Sequence, residues 1–239
     1  MSTPTAPRTT TRTTPGPAAP GARLDRTLAK LSAASAVAFA MGVVIAGAAD
    51  PGYSHRSEAM SALASTQSRS AGVMIVAFLF LSVTALAAGV VLFRRLRGKA
   101  GRAGSVLVLV AGVATVVVGF ARQSCSSLQQ ACLDREGAGD VSGAHVVHNL
   151  VSLLLFLCLV VGGFFLASGL RRDPRWAHLA GRTRIAATAS LLLMVWFGSA
   201  AYGDNGGLVQ RAFLLLAFGI PVAIALEVSR GSHRGHQLS

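Results

Sequence analysis

Between two long apolar runs the chain reads D-P-G-Y-S-H-R-S-E-A-M-S-A-L at positions 50–63. Tyr53, His55, Arg56, Glu58 and Ser61 bring phenol, imidazole, guanidinium, carboxylate and hydroxyl groups into that one stretch. Farther on, His145 and His148 are three residues apart, so a helix presents both on one face, and Ser152 extends the stripe. Asp204 and Arg211 flank the start of the last apolar run. Arginine holds a phosphate through paired N–H bonds, and histidines add further hydrogen bonds. Tyr53, His55, Arg56, His148, Asp204 and Arg211 are therefore expected to form a pocket for a lipid headgroup, with Glu58, Ser61 and His145 beside it.

The same residues admit other chemistry. Two imidazoles at this spacing can share a metal ion, but two ligands are not enough. His55, Asp140 or Asp204 would have to converge on them, so no metal site is assigned, and His145 and His148 stay as its candidates. A metal-assisted hydrolase of a lipid headgroup needs that site, or Ser61 activated by a histidine. Neither G-x-S-x-G nor H-E-x-x-H occurs in the chain. A small-solute transporter is the third reading. Only Pro221 breaks an apolar run, and no acid lies at the centre of one, where proton-coupled carriers usually keep one. No cofactor is expected.

Plainer roles compete for these groups. Asp50-Pro51-Gly52 is a turn that stops the preceding run. Ser57 is expected to cap a short helix over 57–65. Met60 and Leu63 share a face of it, so this helix is expected to lie along the membrane interface. Arg211, at the end of its run, has snorkelling to the surface as its alternative role.

The elements that carry these groups follow from composition. Of 239 residues, 52% are hydrophobic and 13% charged, with mean hydropathy +0.57. Soluble domains carry about 25% charged residues, so the chain falls in the membrane class. A bilayer core takes about 20 apolar residues in a helix. Six segments meet or approach this: 31–49, 71–93, 105–121, 149–170, 185–202 and 206–226. None alternates with period two, which speaks against a barrel. The expected fold is an all-α membrane protein, a six-helix transmembrane bundle over residues 28–229. Residues 1–27, rich in Thr, Pro and Arg, form an expected disordered tail, and 230–239 a second tail. The motif A-G-A at 46–48 resembles a leader cleavage site, but the apolar run before it is too long for a leader.

Net charge is +13, and its placement gives orientation. With six spans, 17 of the 22 Lys and Arg residues fall on one side and five on the other. The basic side is expected to be cytoplasmic. Both termini are then cytoplasmic, the polar cluster faces outward, and the protein is a multi-pass protein of the cell membrane. Its basic face suits anionic lipid headgroups, and nucleic acid is not an expected partner. Cys125 and Cys132 share one outer loop, where oxidising conditions favour a disulfide. Two free thiols or a zinc site are the alternatives. Cys158, inside an apolar run, is expected to pack. Small residues such as Ala85 and Gly89, Gly112 and Gly119, or Gly162 and Gly163 permit close helix approach.

These motifs carry a resemblance. The stretch D-P-G-Y-S-H-R-S-E-A-M-S-A-L-A-S after a first span resembles a segment of the domain of unknown function 998 family, uncharacterised six-span membrane proteins. G-L-V-Q-R-A-F-L-L-L at 207–216 is similar to that family's opening of the last span, and His145-x-x-His148 fits its fourth. The resemblance covers residues 28–229. It implies six helices and a polar belt on the outer face, and no activity.

Overall fold

The computed structural model describes residues 20–199 and 203–230. The expected disorder of 1–19 and 231–239, and the end of the expected fifth span at 200–202, lie outside the described residues. Among these there are seven α-helices and two short 3-10 turns, with no strand. The helices are α1 (Pro20–Ala49), α2 (Ala71–Arg95), α3 (Gly98–Phe120), α4 (Gln130–Gly137), α5 (Gly143–Arg172), α6 (Ala177–Gly198) and α7 (Gly206–Arg230). The 3-10 turns are Met60–Ala64 and Gly203–Asn205.

Five of these helices, α1, α2, α3, α5 and α7, are long and apolar enough to cross a membrane. Helix α6 falls short of that measure: its first half carries Arg182 and Arg184, and its apolar run leaves the described residues after Ser199.

The helices form a ring in the order α1, α2, α3, α5, α6, α7 and back to α1, with α2 and α5 each also reaching α7. Close approach is built from small residues. Where α3 crosses α5, a Cβ at Gly169 would lie 2.6 Å from the Cα of Gly101. Buried hydroxyls tie neighbours together. Ser32 Oγ donates to the carbonyl of Thr84 at 2.7 Å, and Ser82 Oγ to that of Gly112 at 2.8 Å.

Two local expectations change. Residues 20–27, placed in the tail by composition, are the first turns of α1. The reason is tertiary: buried Asp25 lies 2.6 Å from both Arg94 and Arg95 and fixes these turns to the end of α2. The segment at 57–65 is not an interfacial helix capped by Ser57. It is a 3-10 turn whose five residues are all buried, preceded by Ala59 and without a side-chain cap. Buried backbone needs partners, and other elements supply them. The Met60 amide donates to Gln210 Oε1 at 2.7 Å. Arg122 donates to the carbonyls of Ala64 and Ser65 at 3.1 and 2.6 Å.

Candidate functional site

The polar candidates gather where the connections α1–α2, α3–α5 and α6–α7 meet, and they fall into two groups rather than one pocket. The first is a clamp between the loop at 53–58 and the start of α7. Arg211 Nη1 donates to the carbonyls of Gly207 and Glu58 at 2.8 and 3.2 Å. Its Nη2 donates to the Tyr53 hydroxyl at 2.5 Å and reaches His55 Nδ1 at 3.0 Å. Tyr53 passes its own proton to the Ala59 carbonyl at 3.2 Å. Arg56 Nε donates to Asn205 Oδ1 at 2.9 Å, and its carbonyl accepts from the Leu208 amide. Contact this close needs Gly207, where a Cβ would stand 2.4 Å from the Glu58 carbonyl oxygen. Asp204 sits in the neighbouring turn with its side chain exposed.

Arg211 can donate to His55 Nδ1 only while that nitrogen keeps its lone pair. Burial of the ring edge and then the positive Arg211 hold the His55 imidazole below its usual value. Burial, outweighing Arg211, pushes the Tyr53 phenol up. Because His55 is depressed in the folded chain, the unfolded chain takes up the proton first. The clamp's contribution is therefore complete above about pH 6.5 and declines as pH falls below it. Thermal unfolding between about pH 7 and pH 5 should show this loss, and His55→Gln should flatten it. An equal slope in the variant would mean that His55 is not the group responsible.

The second group lines a cavity of about 460 Å³. Its apolar floor includes Phe78, Leu81, Val118, Leu155, Phe156 and Leu214. Its polar rim holds Ser61, Gln123, Glu136, His148, Ser152 and Gln210. Ser61 and His148 are thus at the cavity, whereas Tyr53, His55, Arg56, Glu58, Asp204 and Arg211 are not among the residues lining it. The cavity lies beside the second half of α6, whose Met194, Phe197 and Gly198 line it. The buried residues of α6 end at Ser190, and Leu192, Val195 and Trp196 beyond it are exposed.

The rim is fixed by a chain of hydrogen bonds. The Ser124 amide donates to His145 Nδ1 at 3.0 Å, so the proton of that ring is on Nε2, which donates to Glu136 Oε1 at 2.7 Å. Both nitrogens of His145 are therefore engaged. Gln123 Nε2 donates to Ser127 Oγ and to Asn149 Oδ1 at 2.7 and 2.8 Å. Asn149 in turn points its amide at Glu136 Oε1, 3.5 Å away. His148 Nδ1 donates to the Ala121 carbonyl at 2.7 Å.

Helix α4, which carries Glu136, is held by a disulfide between Cys125 and Cys132, both buried. The ligand atoms of Cys125, Cys132 and His145 lie within 4.8 Å of one another. The two sulfurs are bonded to each other, and thiolates are the ligand form, so a metal there would first need the disulfide reduced. Cys158 is a buried free thiol.

Sequence reasoning passed over Gln123, Glu136, Asn149 and Gln210. For Gln210 a signal existed, an amide one turn inside an apolar run that needs a partner, whereas Asn149 is the first residue of its run. Nothing marked Gln123 and Glu136 apart from other loop residues.

Several long apolar helices around a buried polar rim define a multi-pass α-helical membrane protein. The family model described as "Protein of unknown function (DUF998)" matches residues 33–227, and the chain belongs to that family. No curated protein and no solved structure matches it.

Proposed function

We propose that this is a six-span, non-enzymatic membrane protein that binds a membrane amphipath in the cavity beside α6. The observation that carries the reading is the cavity's combination of polar and apolar lining, with Met194, Phe197 and Gly198 of α6 in its wall. Ligand sites are commonly apolar clefts with a few placed polar groups. Helix α6 is taken as the sixth span. Both termini are then cytoplasmic, in the cell membrane, as the excess of Lys and Arg on that side requires. On the basic side, Arg97, Lys99, Arg172 and Arg175 surround a second hollow of about 570 Å³. This face suits anionic headgroups.

Native mass spectrometry of the protein released from its own membrane tests the binding. A retained lipid of defined mass is expected, and Ser152→Phe, which fills the rim, should reduce its occupancy about tenfold. A protein that retains no lipid contradicts the reading. A retained divalent metal in place of a lipid turns it toward the hydrolase.

A further inference from the structure

Resting on that reading, the geometry points to the head of the bound amphipath: a protonated primary amine, held by acceptor atoms of Gln123, His148 and Glu136. The first is Gln123 Oε1. It is buried and has no hydrogen-bond partner among the described residues, while the same side chain's Nε2 donates to Ser127 and Asn149. The second is His148 Nε2. The ring is 2% exposed and its Nδ1 proton goes to the Ala121 carbonyl, which leaves a lone pair on Nε2. The third is Glu136 Oε2. The donors from His145 and Asn149 both go to the other carboxylate oxygen, Oε1. All three residues line the one cavity.

An unpaired buried acceptor such as Gln123 Oε1 is unfavourable, and beside the part-exposed Glu136 carboxylate it calls for a donor-rich ligand. An alkylammonium has three N–H donors and one positive charge. Among the described residues, Glu136 is the only charged one lining the cavity, and no Lys or Arg lines it. A phosphate head would bring more acceptors and more negative charge to a rim that already has both. The two arginines that suit a phosphate, Arg56 and Arg211, are bonded to Asn205, Tyr53, His55 and backbone carbonyls. The apolar floor takes the alkyl chain. The same head chemistry exists in free short amines, so chain length separates a membrane source from a soluble one.

The test uses the full chain in detergent, with native mass spectrometry competition among dodecylamine, dodecyltrimethylammonium, dodecyl phosphate and ethylamine. Dodecylamine should bind about tenfold tighter than dodecyltrimethylammonium, which has the charge without the N–H donors, and tighter still than dodecyl phosphate. Ethylamine should bind at least about tenfold more weakly than dodecylamine, since it leaves the floor uncovered. Glu136→Gln should erase most of the preference, and Glu136→Asp, which keeps the charge, should retain it. If Glu136→Gln does not fold, the ranking in the unmodified protein decides alone. Equal affinity for all the twelve-carbon heads overturns the amine assignment and leaves amphipath binding standing. A preference for dodecyl phosphate, or bound zinc that excludes dodecylamine, also overturns it. Ethylamine binding as tightly as dodecylamine overturns the membrane source. No binding of any amphipath removes both this inference and the reading beneath it.

Discussion

Arg211→Ala is expected to destabilise the protein by about 3 kcal/mol, the larger part from acceptors left without donors in a part-buried site. One guanidinium serves the carbonyls of Glu58 and Gly207, the Tyr53 hydroxyl and His55 Nδ1, at 3.2, 2.8, 2.5 and 3.0 Å. It joins the loop after α1 to the first turn of α7, more than 150 residues away in sequence. Arg211→Lys should recover less than half of the loss. An ammonium is a point charge, whereas this site uses a planar fork that faces two directions. Thermal unfolding in detergent measures the loss, and limited proteolysis should show earlier cleavage within 53–58. An alanine variant with an unchanged midpoint and unchanged cleavage would mean that the clamp contributes nothing. The residue types suggested an arginine for a lipid phosphate. In the structure the guanidinium is occupied by the protein's own acceptors.

Gly169→Val should destabilise the bundle by about 3 kcal/mol. A Cβ there would lie 2.6 Å from Gly101 Cα and 2.7 Å from Gly101 N, and both are backbone atoms. A flexible side chain can swing aside, but backbone moves only if the helices separate. Helices α3 and α5 share the most extensive interface in the protein, and in lipid it is held by packing rather than by exclusion of water. Gly181→Val is the control, because a Cβ there has nothing within 4 Å. Yield of folded protein and the unfolding midpoint read the difference. Equal behaviour of the two variants would show that the α3–α5 crossing yields easily.

The sequence by itself determined the class. Apolar runs separated by short polar segments can satisfy their backbone in lipid only as helices, and five of the expected runs coincide with helices long enough to span. The family motifs were legible for the same local reason. D-P-G-Y-S-H-R and G-L-V-Q-R are contiguous stretches, readable without knowing what they touch.

Tertiary structure decided what each polar residue does. Arg211 and Arg56 look like anion-binding groups in sequence, but Tyr53, Asn205 and two carbonyls take up their donors. His145 and His148 share a helical face, yet one is locked between Ser124 and Glu136 while the other donates to the Ala121 carbonyl and lines the cavity. Met60 and Leu63 read as an interfacial face and are in fact core, at 5% and 0% exposure. Hydrophobic periodicity reports only how a segment meets its surroundings. Which partner satisfies a buried donor or acceptor depends on residues brought close by the order of the helices in the ring, and no local pattern encodes that order.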